Sequence, residues 1–416
     1  ITFLYKLMIS KKFFQIIYYI IPFLILLALV ILRPFILVRL YGINAHRIGH
    51  FVGNTEVYLT RKKANINQPS KRYYDICFYD SNPYNLEKVC NKQFDKMIRR
   101  ILRILPTYPF YYTKKLTDKT SKYLNFLSDH SLNISDHDRD INDLFNKFES
   151  SFYFTDQEIK NGENILKKMG IQKNSEFVCF TVRDSAYLDS NFKDFDFSYH
   201  NYRDCNIENF LLAAETLADR GYYVLRMGKV VSSKLNSNNL KIIDYANSQF
   251  RSDFMDIYLG ANCKFILTTQ TGYDAIPYVF RKPAAAISIP IGLIRSFKYD
   301  NLSITKHHFN KRTNKYLSMR EIFDYNLGFS LRVDEFKKKN IRLIENSNIE
   351  VNDLVIDMLN ELEKPRDKQF KLTEKQKECN KILNYNIKKY KKEYQNGKLL
   401  GSFTSSFLIN NPDFLK

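Results

Sequence analysis

The chain has 416 residues, 64 Lys and Arg against 44 Asp and Glu for a net charge of +20, and 44% hydrophobic residues. That apolar content excludes a disordered chain, and the length accommodates two domains. With 13 Gly, 11 Pro and no Trp, it also excludes a collagen, a Gly/Pro-rich low-complexity chain and a propeller built on Trp-Asp repeats.

The positive charge gathers at the ends. Residues 1–72 carry eleven Lys and Arg against one acid, Glu56, and residues 361–416 carry thirteen against seven, so the stretch between them is close to balanced. A nucleic-acid binder places a basic stripe on a folded domain with a recognition motif inside it. No C₂H₂ spacing, RNP-type aromatic signature or GxxGK phosphate loop occurs, so no nucleic-acid partner is expected.

From the N-terminus, Phe13–Leu32 is twenty residues without a charge, about the length a bilayer core requires. This predicts a hydrophobic membrane anchor over 1–34, with a buried core helix and a cleaved signal peptide as the other readings. The heavier cationic side follows it (Arg33, Arg39, Arg47, Arg61, Lys62, Lys63), so a single N-terminal segment would leave residues 33–416 in the cytoplasm. Lying along one leaflet instead, the segment would set these cations against anionic head groups, which makes a membrane the expected partner in either case. Six cysteines without a CxxC or paired spacing are reduced-compartment usage.

After the anchor, Phe35–Tyr41 reads as a strand, Arg47–Leu59 as a helix and Tyr73–Tyr79 as a second strand running into the turn Asp80-Ser81-Asn82-Pro83. These elements define an N-terminal α/β domain over 35–154. Thr155-Asp156-Gln157-Glu158 is a capping box, and Gly170 closes the connecting helix it opens, over 155–172. Residues 173–345 then alternate: strand Phe177–Val182, a helix capped by Asn206 and stopped at Gly221, strand Tyr222–Met227, a short strand at Ile242–Asp244, helix Ser252–Leu259, strand Lys264–Thr268, helix Tyr273–Phe280 and strand Ala284–Ile289. Alternation with continuous apolar strands predicts an α/β fold with a parallel sheet. Residues 346–416 read as a helical tail.

In such sheets the ligand lies outside the carboxyl ends of the strands. Here these ends read Arg183-Asp184, then Arg226 with Gly228-Lys229, then Thr269-Gln270-Thr271-Gly272 before a helix. Cations beside a Thr/Gly turn form a diphosphate cradle. The long connection from Asp184 to Cys205, with Asp189, Asp194, Asp196, His200, Asn201 and Arg203, reads as a binding lid.

The segments FVCFTVRDSAYL (177–188), SYHNYRDCNIENFLLA (198–213), LADRGYYVLRMGK (217–229), the run 242–283, HRIGHFVGNTEVYL (46–59) and SSFLINNPDFLK (405–416) resemble a family of bacterial glycosyltransferases of the GT-B type, found among surface-polysaccharide biosynthesis genes. One departure is the turn Thr268-Thr269-Gln270-Thr271-Gly272, where relatives carry smaller Gly and Ser residues. The resemblance implies two Rossmann-like domains facing a cleft, and in a bacterium the anchor would place them on the cytoplasmic face of the inner membrane. It implies sugar transfer from a nucleotide-sugar donor to a glycan or lipid-linked acceptor, with no cofactor and no metal. Arg183, Asp184, Arg226, Gly228, Lys229, Thr269, Thr271 and Gly272 would hold the donor. Arg47, Gly49, Asn54, His200, Asn201, Arg203 and Asp253 would line the acceptor side.

His50 is the candidate general base, because imidazole titrates near neutral pH. A histidine that only packs or caps the neighbouring helix is the other reading. Asp136-x-Asp138 and Asp194-x-Asp196 match a metal-binding DxD, but outside the fold that uses it. His307-His308 lies in a basic polar stretch read as a solvated loop. Two functions of different class remain open: the glycosyltransferase, and a non-catalytic membrane-associated scaffold with a degenerate GT-B fold. Transfer of a pyruvyl or phosphoglycerol group to a glycan is a third.

Overall fold

The computed structural model describes residues 19–80, 89–133, 139–191, 196–294, 300–392 and 399–416. The chain divides into two compact units, Ile1–His137 and Asp138–Lys416.

Unit 1 is built on a parallel sheet in the order β3-β2-β1-β4. Its strands are β1 (Leu37–Ile43), β2 (Tyr73–Tyr79), β3 (Ile104–Leu105) and β4 (Ser131–Leu132). β1 and β2 pair over seven positions, from Leu37 opposite Tyr73 to Ile43 opposite Tyr79. The crossover between them is helix Ile48–Lys63, and its last turn carries Arg61, Lys62 and Lys63 on the negative end of the helix dipole.

The N-terminal apolar run corrects the expectation of a spanning anchor. Among the described residues no helix is long and apolar enough to cross a membrane, so the single N-terminal membrane segment, and the inner-membrane placement drawn from it, do not hold. The described part of the run is a helix over 19–32; residues 13–18 lie outside the described residues. Pro22, Leu26 and Leu29 recur at three- and four-residue spacing and are buried. Leu29 packs with Val38, Leu40, Phe78 and Tyr111 of the unit's own core. The Thr113 hydroxyl donates to the Pro22 carbonyl at 3.3 Å, and Arg33, just after the helix, pairs with Asp129 at 2.7 Å. The run is therefore apolar in part because one stripe of it is a layer of the unit 1 core.

Unit 2 holds a seven-stranded sheet in the order β14-β10-β9-β8-β5-β6-β7, parallel at every pairing. The strands are β5 (Phe177–Thr181), β6 (Tyr223–Arg226), β7 (Ile242–Ile243), β8 (Ile266–Thr268), β9 (Ala284–Ile287), β10 (Asn301–Ile304) and β14 (Ser402–Phe403). Every residue of β5, β6, β8, β9 and β10 is buried, as expected of parallel strands covered on both faces. On one face Val178, Phe180, Leu267 and Ala285 pack with Ala214 and Leu217 of helix Leu211–Asp219 and with Leu354, Val355 and Met358 of helix Asn348–Glu363. On the other, the Cys179 thiol reaches the Leu259 carbonyl of helix Asp253–Asn262 at 3.7 Å. Each fully buried Leu, Val or Phe contributes about 1.5–3 kcal/mol, so this two-sided core is what holds the strand ends in place.

Helix stops fall where glycine permits a left-handed backbone, at Gly170 (φ +84°) and Gly221 (φ +98°). The sheet extends past Ala284–Ile289, which had read as its last strand: β10 and β14 continue it, the latter contributed by the C-terminal segment. A small antiparallel sheet, β12-β11-β13, adds β11 (His307–Asn310), β12 (Lys315–Tyr316) and β13 (Ile341–Ile344). His307-His308 thus lies on a strand rather than in a solvated loop, and His308 is 2% exposed.

Candidate functional site

The carboxyl ends of β5, β8, β9 and β10 are adjacent in the sheet, so Arg183, Thr269-Gln270, Ser288 and Thr305-Lys306 come to one edge. A parallel sheet turns all its strand ends the same way, which makes this juxtaposition a consequence of topology.

The turn after β8 is locked from below. The Thr269 hydroxyl accepts from the Arg183 backbone N–H at 2.8 Å. Thr181 and Thr268 join through their hydroxyls at 2.9 Å. The buried Asp274 carboxylate accepts from Thr268 at 2.6 Å and Thr271 at 3.0 Å. Gln270 sits in the left-handed region at φ +57°, a cost of order 1–3 kcal/mol for a residue with a side chain. Its side-chain amide donates to Ser288 at 3.1 Å, and its carbonyl accepts from the Arg203 guanidinium at 3.3 Å. Thr271 caps only a three-residue turn, Gly272–Asp274, followed by the five-residue helix Ala275–Val279, so little helix dipole is available there.

The cations decide the chemistry. Arg183 is 7% exposed and Lys306 4%. Both hold Asp204: the Arg183 guanidinium pairs with its carboxylate and the Lys306 ammonium donates to its backbone carbonyl. Burial, with the Arg203 charge beside it, pulls the Arg183 guanidinium down to about 10, which leaves it cationic at neutral pH. Its Nη2 is buried with no hydrogen-bond partner among the described residues. A buried donor without an acceptor costs about 1–3 kcal/mol, more when charged. Arg183, Lys306 and the half-buried Arg203 gather at this edge with the carboxylate of Asp204, while Asp184, Asp189 and Asp274 lie close by; the guanidinium and ammonium donors are suited to an anion.

The other expected donor residues fall into two groups. Asp184 ties two loops, accepting from the backbone and hydroxyl of Ser232, both at 2.9 Å. Arg226, 1% exposed, is paired with Asp244 at 3.1 Å, and Asp244 also accepts from the Leu235 backbone at 3.0 Å. A Cβ on Gly228 would lie 2.5 Å from Val231 Cγ1, so Gly228 permits the close bend after β6. Lys229 on that bend is exposed.

The expected acceptor residues divide between the units. In unit 1, Arg47 is the N-cap of helix Ile48–Lys63, Gly49 is buried in its first turn, and His50 and Asn54 are half-buried along it. The Asn54 carbonyl accepts from Tyr41 at 3.4 Å. Nearby, burial holds the His46 imidazole below its ordinary value while Asp80 opposes that shift. In unit 2, His200 and Asn201 lie on the 3₁₀ turn Ser198–Arg203, with the His200 ring 4.0 Å from that of Tyr199. Asp253 opens helix Asp253–Asn262, 3.6 Å from the Arg251 guanidinium.

Of the DxD residues, Asp136, Asp138 and Asp194 lie outside the described residues. Among the described residues no group of three or more His, Cys, Asp or Glu gathers as a metal site would require. Sequence reading missed Lys306, Asp204 and the buried hydroxyls of Ser288 and Thr305. Lys306 follows β10, whose Asn301 and Ser303 hide the apolar signature of a buried strand.

No protein-family model matches the chain, and no curated protein matches it. Among solved structures it is similar to ADP-heptose lipopolysaccharide heptosyltransferase II of E. coli, with 10% identity, a TM-score of 0.38, and coverage of 76% of this chain and 98% of that one. It is also similar to a family 9 glycosyl transferase of Veillonella parvula, with 11% identity, a TM-score of 0.40, and coverage of 78% and 97%. A third similarity, to the iron-containing dodecameric heptosyltransferase TibC with bound ADP-D-β-D-heptose, has 13% identity and a TM-score of 0.25 and covers 46% of this chain and 47% of that one.

Proposed function

We propose that this protein is a glycosyltransferase whose unit 2 binds the diphosphate of a nucleotide-sugar donor at the Arg183–Arg203–Lys306 edge and whose acceptor is a glycan or glycolipid hydroxyl. The observation that carries this reading is the pair of buried cations, Arg183 and Lys306, at the carboxyl ends of parallel strands, with one buried Arg183 nitrogen left without a partner among the described residues.

The chemistry requires no protein nucleophile. The bond between the anomeric carbon and the diphosphate oxygen breaks, a bond from the acceptor oxygen to that carbon forms, and the acceptor proton passes to a base. Negative charge grows on the departing diphosphate, where Arg183 and Lys306 stabilise it from fixed positions that water does not reach. In this reading a metal ion is not needed for that charge. Thr269, Thr271, Asp184 and Arg226 position the loops that carry the cations, and Gly228, Lys229 and Gly272 shape the rim. In unit 1, His50 is the proposed base, with Arg47, Gly49 and Asn54 proposed to bind acceptor; in unit 2, His200, Asn201 and Asp253 are proposed acceptor contacts.

The test is consumption of UDP-, GDP-, CDP- and ADP-sugars by the full chain with glycan acceptors, read by mass spectrometry, alongside calorimetric binding of the free nucleotide diphosphates. Turnover of one donor, weakened by Arg183→Ala, is the expected result. Binding with no turnover of any donor would leave the scaffold reading. A diphosphate that binds with the same affinity to Arg183→Ala would remove the site assignment.

A further inference from the structure

The same edge contains a residue, Asp204, that already engages its buried cations. Arg183 and Lys306 project from strand ends and are almost fully buried, so their positions are set by the sheet. Asp204 is set differently. It follows the 3₁₀ turn Ser198–Arg203, its side chain is 29% exposed, and its carboxylate finds a hydrogen-bond partner only in Arg183 among the described residues. Its backbone carbonyl takes the Lys306 ammonium, and its own N–H donates to the Asn201 carbonyl at 3.1 Å. One rim residue thus engages two of the three cations, one through charge and one through a neutral carbonyl.

We propose that Asp204 is an internal stand-in for the ligand anion, which a diphosphate must displace to reach Arg183 and Lys306. The inference rests on the reading above that this edge takes a diphosphate, and it adds what sets affinity and selectivity there. A buried guanidinium without a counter-charge is costly, and Asp204 supplies that charge while the edge is unliganded. A ligand with two or more negative charges replaces it on Arg183 and also meets the Lys306 ammonium. A singly charged ligand only exchanges one anion for another and gains little. Displacement frees the Lys306 ammonium and loosens the turn 198–205.

The experiment is calorimetric binding of inorganic pyrophosphate, UDP, ADP and the monoanion dimethyl phosphate to the full chain, as wild type, Asp204→Asn and Asp204→Ala. Asn keeps the shape of the side chain and guards against a variant that fails to fold. The expected result is a tightening for the diphosphates of about tenfold, equal to about 1.4 kcal/mol, and new binding of dimethyl phosphate by the variants alone. In the wild type, pyrophosphate should speed amide exchange over 198–205. If the wild type binds diphosphates and the variants bind them equally or more weakly, Asp204 supports Arg183 rather than competing, and this inference falls while the donor site stands. Unchanged exchange at 198–205 on saturation has the same meaning. If neither wild type nor variants bind any diphosphate, both readings fall.

Discussion

Two arginine–aspartate pairs with buried guanidiniums, Arg39–Asp75 in unit 1 and Arg183–Asp204 in unit 2, set a filled hydrogen-bond network against one with an open buried donor. In unit 1, Arg39 donates to both oxygens of Asp75, at 2.7 and 3.0 Å, and to Gln68 at 2.8 Å. Asp75 also accepts from Tyr58 at 2.8 Å and Lys62 at 3.0 Å, and the Tyr73 ring covers the guanidinium at 4.4 Å. That carboxylate is saturated, and its donors hold it below its ordinary value against the burial that would raise it. In unit 2, Asp204 has one partner for its carboxylate, and Arg183 keeps a buried nitrogen with none among the described residues. Residue type is alike in the two pairs and both guanidiniums are buried, but the Asp75 side chain is 1% exposed and that of Asp204 29%. What also differs is whether the hydrogen-bonding capacity is filled, and the unfilled pair is the one at the proposed donor site.

The largest expected effect breaks the filled pair. Asp75→Ala leaves Arg39 buried without a counter-charge and should cost about 3–5 kcal/mol of stability in denaturant unfolding. The pH dependence follows from the direction of the shift. The folded pKa lies below the unfolded one, so the contribution is present above about pH 4 and is lost as pH falls through the lowered value. Asp75→Ala should flatten that acid limb. A cost below about 1 kcal/mol would mean that the network is not what holds β1 to β2.

Next in size is His308, fully enclosed on β11, with Nδ1 against the Lys306 carbonyl at 3.0 Å and its ring 5.8 Å from that of Phe336. Burial pushes its imidazole down to about 3. The folded state therefore holds it neutral while the unfolded chain takes up a proton below about pH 6.5. Stability should be full above that pH and fall towards pH 3, by a few kcal/mol in total. His308→Phe should remove the slope between pH 6.5 and 4 while leaving the limb from Asp75. Identical slopes in the two proteins would show that another group carries it.

These two networks also show what a sequence can and cannot reveal. Continuous apolar runs such as FVCFT are legible because a parallel strand covered on both faces must be apolar throughout, and Thr155 and Ser252 announce helix starts because a cap is a local bond. β10 (NLSI) was not legible: Ser303 is buried only because Ser288 meets it at 3.0 Å, a pairing across strands that no local window contains. Asp204 and Lys306, 102 residues apart, meet for the same topological reason. The N-terminal run misled because hydropathy counts apolar residues without saying what they face. Pro22, Leu26 and Leu29 face their own domain.

The unfilled pair is sharpened by a third measurement. Arg183→Ala and Lys306→Ala should each weaken nucleotide diphosphate binding by about 10- to 100-fold, the range of a charge-assisted hydrogen bond of roughly 1.5–3 kcal/mol. Arg183→Ala leaves behind a carboxylate that is 29% exposed and can be solvated, so it should cost less stability than Asp75→Ala. A stability loss in Arg183→Ala equal to that in Asp75→Ala would erase the distinction between the two pairs.

The smallest effect tests whether burial, rather than charge alone, makes the site. Lys229 lies on the exposed bend after β6, where an ammonium keeps its hydration and its field is screened within about 8 Å at physiological ionic strength. Lys229→Ala should therefore weaken diphosphate binding by less than about threefold, and even that loss should disappear at 0.5 M salt, as for an exposed ion pair. The Lys306→Ala loss should persist there, because a buried cation at a fixed strand end has no solvent between it and its anion. If the two lysines responded alike to salt, the edge would be a general basic surface, and the contrast between filled and unfilled pairs would no longer locate the donor.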